Sequence, residues 1–402
     1  MKKLLSIICI LVMCIGVVGC SYKEVKDKSS TQLTTKEKVE DFEYMFETIK
    51  EVYPYLEVNK RLYKVDWVSN KEKYLDRIKN TKDDEEFIEE INKMLMDLKD
   101  GHTHLVYDKS WYEFLKAGYK QAGWYDFFGD ENVENRYESI GYMDNRNKEV
   151  MPKKDIIVKD VVEGKIGYIH MPQMYPEGDV RLEQMTAIND YINTLKNHQA
   201  LILDIRGNSG GDDAYWQSVV SQLITEDMKR TGYMLFRNDN EVMKKYSNKR
   251  GITLQPISEL PKELLKKAPK EVLQDFSEFS TMRSLIPATN TSQFKGNIYL
   301  LVDEKVYSSA ESFSIFCQES DFATIIGTTT AGGGGGIDPV LFELENSGLL
   351  VRMSSDMYLT DSGVCNEEVK TVPDYEIKGH RRTEKFEDDK CIEKVLELEN
   401  LK

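Results

Sequence analysis

The strongest constraint on the fold is an alternation of apolar runs and amphipathic segments in the second half of the 402-residue chain. The runs "ALILDI", "GNIYLLV" and "FATIIG" are almost continuously apolar, as in strands buried on both faces of a parallel sheet. The segments "MTAINDYINTLKN", "DDAYWQSVVSQLI" and "SAESFSIFCQE" have helical spacing. Strands that alternate with helices predict βαβ units, so the expected fold class is α/β with a mainly parallel sheet.

The remaining segments suggest how the chain is divided. Helical spacing in "KEKVEDFEYMFETIKEVYPYL" and "DDEEFIEEINKMLMDLKD" predicts an N-terminal helical domain over residues 36–104. Residues 105–162 have a weak pattern and stay unassigned, as a linker or β region. The α/β core is expected over residues 163–378 with a charged insert at 225–293, where "LPKELLKKAPKEVLQDF" predicts a surface helix. A C-terminal helix is expected within residues 379–402.

The N-terminus begins with two lysines and an apolar run, the pattern of a signal peptide over residues 1–20. Its end, "VVGC", resembles a bacterial lipobox, in which Cys20 becomes the lipidated first residue of the mature chain; a short transmembrane anchor is the alternative. Two acyl chains on one cysteine would give stable membrane attachment. The polar residues 21–35 would then be a tether. We expect an extracytoplasmic protein anchored to the cell membrane through Cys20.

The composition narrows the range of partners. A formal net charge of −15 argues against nucleic acid and against electrostatic docking on an anionic membrane, but leaves a protein or peptide partner open. No Cys-x-x-Cys pair is present, so neither a zinc ribbon nor a disulfide framework is indicated. Pairing of Cys365 with Cys391 stays open. No cofactor is predicted.

A glycine-rich turn follows a predicted strand in "LILDIRGNSGGDDAYW". Asp204 and Arg206 flank the strand end and could form an ion pair. Gly207, Gly210 and Gly211 permit unusual backbone angles, and such a turn can direct several N–H groups at one negative charge. Without a phosphate-loop motif, an oxyanion hole is favoured over a phosphate site, and a purely structural turn stays open.

The same turn contains a second, competing motif. "GNSGG" matches the Gly-x-Ser-x-Gly nucleophile elbow of α/β-hydrolases, with Ser209 as nucleophile and His380 as the last triad member. That fold usually has an oxyanion segment upstream that begins with His-Gly, and this chain has none. An esterase acting through Ser209 is therefore a minor alternative.

Two further strings contain residues suited to catalysis. In "DGHTHL", Asp100, His102 and His104 could form half a metal site, but no further ligand cluster accompanies them, so no metal is predicted. A histidine at a glycine break is a candidate general base. In "VYSSAESF", Ser308 and Glu311 match a capping box, and a serine at a helix start can also be a nucleophile beside backbone N–H groups.

Five strings in this order, "DGHTHL", "LILDIRGNSGG", "VYSSAESF", "IIGTTTAGG" and "VPDYEI", resemble the tail-specific (C-terminal processing) serine peptidases. Relatives of that family include the tricorn core protease and the interphotoreceptor retinoid-binding modules. The resemblance covers about residues 165–377 and implies a crotonase-like (ClpP/crotonase) α/β core. It implies Ser308 as the nucleophile, with the N–H of Ser309 and that of Gly210 or Gly211 as oxyanion donors.

The chain departs from many family members at the base. Their catalytic lysine falls on Gly333 in this sequence, so a Ser–Lys dyad is not available. The tricorn-like branch uses an upstream histidine, which maps to His102, and a glutamate, which maps to Glu367 with Glu368 as second choice. The resemblance thus implies a serine peptidase with a histidine base. The alternative is a catalytically silent binding lipoprotein on the same fold.

Overall fold

The computed structural model describes residues 32–141, 155–174, 178–237, 240–290, 292–379, 381–383 and 385–402. The helices are α1 Thr35–Val52, α2 Leu56–Tyr63, α3 Lys71–Lys79, α4 Asp84–Met96, α5 Lys109–Ala122, α6 Glu131–Ile140, α7 Gly178–Thr194, α8 Asp213–Leu223, α9 Glu241–Arg250, α10 Val272–Asp275, α11 Ser309–Ser320, α12 Asn366–Val369 and α13 Lys390–Leu398. The strands are β1 His104–Leu105, β2 Ile157–Val162, β3 Ile166–His170, β4 Ala200–Asp204, β5 Met228–Phe236, β6 Gln255–Pro256, β7 Glu278–Ile286, β8 Asn297–Val302, β9 Thr324–Gly327, β10 Val340–Glu343, β11 Leu350–Met353, β12 Met357–Thr360 and β13 Tyr375–Glu376.

The apolar runs form a six-stranded sheet in the order β13-β9-β8-β4-β3-β2. Five strands are parallel, and β2 pairs with β3 in the antiparallel sense at one edge. Every residue of β3 and β4 is buried, because α7, α8 and α11 pack on one face of the sheet and α13 packs on the other. The predicted α/β class with a mainly parallel sheet is confirmed.

A buried ion-pair triad closes the end of the central strand β4. Arg206 Nη2 lies 2.6 Å from Asp204 Oδ2 and 2.8 Å from Asp389 Oδ2. Asp389 also caps α13, since its carboxylate accepts the N–H groups of Cys391 and Ile392. The predicted pair of Asp204 and Arg206 is therefore confirmed, and it extends to the helix that covers the sheet.

The helices α1–α4 occupy the segment predicted to be helical, and they share one hydrophobic core with the insert strands β5 and β7 and with β10–β12. The chain from Leu33 to Lys402 forms one compact unit. The predicted surface helix in "LPKELLKKAPKEVLQDF" was wrong, because the segment contains only a 3₁₀ turn at Leu264–Lys266 and the single-turn α10. Pro269 interrupts any continuous helix, and the buried Leu264 and Val272 join the core.

The described part of the unassigned segment 105–162 contains two helices besides β2. α5 and α6 pack on the three-stranded sheet β1-β11-β10 around an apolar cluster that includes Tyr112 and Tyr137. Strand β1 pairs with β11, with His104 opposite Arg352, and this pairing attaches the histidine segment to the C-terminal half of the chain. Residues 142–154 lie outside the described part.

The described cysteines are unpaired. Cys317, Cys365 and Cys391 are free and buried, and Cys365 lies in a different hydrophobic cluster from Cys391, so the two do not pair. Within the described ranges, no helix has both the length and the apolar character that a membrane span needs. Cys20 and residues 1–31 lie outside those ranges.

Candidate active site

Ser308 occupies a strained turn between β8 and α11. Its backbone has φ 58° and ψ −123°, a conformation that residues other than glycine rarely adopt and that clusters at functional sites. The turn is held by hydrogen bonds from the Ser308 N–H to the Gly332 carbonyl (3.1 Å) and from the Ser312 N–H to the Ser308 carbonyl (2.9 Å). A Cβ on Gly210 would lie 2.7 Å from the Ser308 Cβ, so only glycine lets the glycine-rich turn come this close.

The predicted capping box at Ser308 is absent. The Ser308 side chain makes no capping hydrogen bond. Glu311 turns away from the helix start, and its Oε1 accepts the Asn366 amide (2.6 Å), the Thr371 N–H (3.0 Å) and the Thr371 hydroxyl (2.7 Å). Glu311 therefore fixes α11 to the segment 366–371, and the Ser308 hydroxyl is left to face another partner.

That partner is His102. The structure places His102 Nε2 3.0 Å from Ser308 Oγ, although 206 residues separate them in sequence. This distance lies within hydrogen-bonding range for a nucleophile and its general base. His104, the other histidine of the string, instead hydrogen-bonds through Nδ1 to the carbonyl of Leu105 (2.7 Å).

His102 is held in its neutral form. Burial is the main cause that lowers the pKa of His102, to about 3, and the positive charge of Arg352 adds to it. The carboxylate of Asp100 acts in the opposite direction and favours the imidazolium. A neutral imidazole can accept a proton, and the nearby negative charge would stabilise the cation that forms.

Asp100 organises the backbone of the base segment. Its carboxylate accepts the His102 N–H (2.9 Å), the Thr103 hydroxyl (2.5 Å) and the Tyr307 hydroxyl (3.1 Å). These bonds hold the segment around the His102 ring without a bond to the ring itself. Among the residues that the structure describes, no group of His, Cys, Asp and Glu is arranged to hold a metal ion.

Glu367 lies in the same cavity as His102 but does not hydrogen-bond to it. Its Oε2 accepts the Gly333 N–H (2.9 Å) and its Oε1 accepts from Lys370 Nζ (2.7 Å). Burial raises the pKa of Glu367 to about 7. Glu368, the second choice, forms an ion pair with Arg61 instead (2.7 Å).

The cavity beside His102 is small and is lined largely by polar groups. Its lining includes Tyr55, Asp100, His102, Ser354, Asp356 and Glu367. Asp356 was not predicted from the sequence, and its buried Oδ2 has no hydrogen-bond partner in the described part of the chain. Burial raises its pKa to about 7. The only sequence signal is a polar "SSD" between two apolar strands.

The oxyanion candidates surround the serine. The Gly210 N–H donates to Asn208 Oδ1 (2.8 Å) and is thus engaged within its own turn. Across the described ranges, the N–H groups of Ser309 and Gly211 have no acceptor. These two donors are therefore available to a negative charge that develops beside Ser308.

The competing nucleophile, Ser209, is exposed to solvent. Its hydroxyl has no hydrogen-bond partner within the described ranges, in contrast to the hydroxyl of Ser308. His380, which the esterase alternative required, lies outside the described residues. The geometry therefore favours Ser308 over Ser209.

The arrangement of sheet, glycine turn and serine turn matches a known family. The family model "Peptidase family S41" matches residues 165–377, more than half of the chain. The chain therefore belongs to peptidase family S41, as the resemblance predicted. His102 and its segment lie outside the matched range.

Individual relatives agree with this assignment. The chain is 27% identical to the tricorn protease of Thermoplasma acidophilum over 221 residues, which is 54% of this chain but only 15% of that protein. Among solved structures, a candidate peptidase from Parabacteroides merdae superposes with a TM-score of 0.56 at 19% identity, over 90% of this chain and 96% of the other. Mature CPAF in complex with lactacystin gives a TM-score of 0.55 at 12% identity, over 85% and 94%. At such identities the structures establish the shared fold.

Proposed function

We propose that the protein is a lipid-anchored, extracytoplasmic serine peptidase that cleaves peptide bonds through an acyl-enzyme with His102 as its base. The observation that carries the proposal is the 3.0 Å separation between His102 Nε2 and Ser308 Oγ at a strained turn. Structural serines seldom combine a strained backbone, a histidine partner and free N–H groups beside them.

The mechanism follows from these positions. Ser308 Oγ attacks the carbonyl carbon of the scissile bond while His102 Nε2 takes the hydroxyl proton. The N–H groups of Ser309 and Gly211 stabilise the oxyanion, and the positive end of the α11 dipole adds to this effect. The imidazolium then gives its proton to the leaving amine. A water molecule, deprotonated by His102, hydrolyses the resulting ester and regenerates Ser308.

The carboxylates have supporting roles in this scheme. Asp100 keeps the base segment in place and stabilises the imidazolium by its charge. Glu367 completes the set of residues carried over from the tricorn-like branch. We propose that it acts across the cavity it shares with His102, because no direct bond joins the two side chains. The substrate is a protein or peptide, and neither a metal nor a cofactor takes part.

Two observations favour the alternative, a silent binding protein on the same fold. The lysine of many family members is replaced by Gly333, and burial lowers the pKa of His102 to about 3, which makes it a weak base. Against this alternative stand the 3.0 Å separation of His102 Nε2 from Ser308 Oγ and the free N–H groups of Ser309 and Gly211.

A fluorophosphonate probe with peptide mass mapping separates the three possibilities. Label on Ser308 that Ser308→Ala abolishes is the expected result for the peptidase. Label on Ser209 would support the esterase instead. If the wild type is not labelled and does not cleave a library of unfolded peptides, the silent binding protein is the better description. Turnover that EDTA abolishes would contradict the metal-free mechanism.

A further inference from the structure

By the resemblance, the lysine of many family members falls on Gly333, and in this chain an aromatic ring fills the space into which a side chain at residue 333 would extend. Gly333 has φ +70°, and a Cβ on it would lie 2.8 Å from the Tyr307 hydroxyl oxygen and closer still to two ring carbons. Real Cβ atoms do not approach other atoms this closely. No side chain can therefore extend from residue 333 while the Tyr307 ring keeps its place.

The same ring lies against the base segment. The ring centroids of Tyr307 and His102 are 4.7 Å apart with an interplanar angle of 43°. A Cβ on Gly101 would meet the Tyr307 ring at 3.2 Å, so the absence of a side chain there gives the ring room. The Tyr307 hydroxyl donates to Asp100 Oδ1 (3.1 Å), which joins the ring to the carboxylate that holds the His102 backbone.

The backbone of Tyr307 belongs to the other half of the site. It immediately precedes Ser308, and its N–H donates to the Asn208 carbonyl of the glycine-rich turn (3.2 Å). It also forms an isolated bridge with Gly332. One residue thus has its main chain fixed beside the nucleophile and its side chain packed on the base.

We propose that Tyr307 is a positioning residue that sets the distance and orientation of His102 relative to Ser308. By filling the space beside residue 333, it also makes a histidine base and a lysine at 333 mutually exclusive in this chain. The proposal rests on the proposed function of the Ser308–His102 pair. It adds a residue that the family comparison does not assign.

The expected effect of removing the ring has two parts. The His102 ring would lose a packed neighbour, and misplacement by about 1 Å can cost on the order of a hundredfold in rate. Water would also enter, and because burial is the main cause of the low His102 pKa, that pKa should rise towards 6.5. The titratable and charged groups around His102 are Asp100, His104, Arg352, Tyr307, Asp356 and Glu367.

The first experiment compares Tyr307→Ala with Tyr74→Ala. Tyr74 is the control, because its hydroxyl also donates to an aspartate, Asp97 (2.9 Å), but it lies in α3. For Tyr307→Ala we expect the maximal rate of fluorophosphonate labelling to fall on the order of tenfold to a hundredfold at unchanged probe affinity. The His102 pKa, followed by NMR of ¹⁵N-labelled histidine, should rise. Tyr74→Ala should change neither quantity.

Tyr307→Phe keeps the proposal testable if the alanine variant does not fold. It retains the ring and removes only the bond to Asp100, so we expect a smaller fall in labelling rate, roughly threefold to tenfold. A rate and a His102 pKa equal to those of the wild type in both variants would overturn the positioning role. The NMR comparison needs no turnover, so it decides this point even if the wild type is never labelled and the proposed function fails.

The second experiment tests mutual exclusion by a double-mutant cycle. Gly333→Ala is made in the wild type and in Tyr307→Ala, and the change in melting temperature is compared. The backbone strain at φ +70° is common to both backgrounds, so the difference isolates the clash with the ring. We expect Gly333→Ala to lower the melting temperature clearly less in the Tyr307→Ala background. An equal loss in both backgrounds would overturn the steric argument.

Discussion

The two halves of the candidate site are built in different ways. The nucleophile half lies within the range that matches the family, and backbone hydrogen bonds fix it: Ser308 to Gly332 and Tyr307 to Asn208. The base half, residues 100–104, lies outside that range. It is fixed by the short β1–β11 pairing and by side-chain bonds that converge on Asp100.

This difference predicts how each half responds to mutation. A turn that is held by its own backbone should survive the loss of its side chain, so changes at Ser308 should remove chemistry and leave the fold intact. A segment held by side-chain bonds should lose alignment and stability together. Mutations in the two halves should therefore separate loss of activity alone from loss of activity together with stability.

The largest effect is expected for Ser308→Ala. Loss of a nucleophile costs several orders of magnitude in rate, on the order of 10⁴-fold or more in kcat/KM. The hydroxyl caps nothing, so the melting temperature should hardly change. Ser309→Ala is the matched control, because it keeps the N–H and removes only a hydroxyl that contacts Met174 Sδ at 3.6 Å. If Ser309→Ala were inactive and Ser308→Ala active, the assignment of Ser308 as the nucleophile would be wrong.

Asp100→Asn should damage the base half in both respects. The amide cannot accept all three donors, and a buried donor left unsatisfied costs about 1–3 kcal/mol. We expect a lower free energy of unfolding in urea together with a lower kcat. Asp97→Asn, which also removes a bonded carboxylate near this segment, should leave kcat unchanged. Full activity in a destabilised Asp100→Asn would show that the alignment of the base does not depend on this carboxylate.

Glu367→Gln should alter the pH dependence more than the maximal rate. With a pKa of about 3, His102 is already neutral at pH 5, so it cannot produce a rise in activity near neutral pH. Burial raises the pKa of Glu367 to about 7, and ionisation of this group should make kcat/KM increase through that pH. Glu367→Gln should not show this increase of kcat/KM with pH, and at pH 8 it should be about tenfold slower than the wild type.

The same pKa has a consequence for stability. The folded chain holds the Glu367 proton more tightly than the unfolded chain, whose pKa is near 4.5. This group should therefore reduce stability as the pH rises from about 4.5 to about 7, and Glu367→Gln should not show that contribution. Asp356→Asn is the control for the pH profile of activity, because burial raises the pKa of Asp356 to about 7 as well. If the rise of kcat/KM near pH 7 disappears in Asp356→Asn but persists in Glu367→Gln, the group whose ionisation controls activity is Asp356.

The smallest effect on chemistry is expected for Cys20→Ala. This change should release the protein from membranes or leave its leader uncleaved, while kcat/KM of the purified protein stays within about twofold of the wild type. Membrane fractionation and intact mass measure the two outcomes. A variant that fractionates and migrates like the wild type would remove the lipid anchor from the proposal.

The sequence was most informative where short strings determine structure locally. Apolar runs predicted the parallel sheet. Asp204 and Arg206 formed the expected ion pair, because residues two apart in an extended segment lie on the same face. The capping box failed because the Ser-x-x-Glu pattern specifies donors and acceptors but not the positive φ of Ser308. Nothing local indicated that Glu311 would bond to residues 366 and 371 instead.

The rest of the site depends on contacts between distant segments. The pairing of His102 with Ser308 could be inferred only through the family resemblance, because 206 residues separate the two. Tyr307 stands next to the serine in the string, yet its importance lies in its overlap with the space above Gly333 and its bond to Asp100. Burial of Asp356 likewise follows from the packing of β11 and β12 and cannot be deduced from "SSD".

The most direct test of the account is the rate of fluorophosphonate labelling at Ser308 in His102→Ala compared with His104→Ala, measured at one pH. If His102 is the base, its loss should lower the rate by on the order of 10²–10⁴-fold. His104→Ala should stay close to the wild type, because the His104 ring hydrogen-bonds to the Leu105 carbonyl and not to Ser308. Equal labelling rates in His102→Ala and the wild type would contradict the central claim that the base reaches Ser308 from the N-terminal segment.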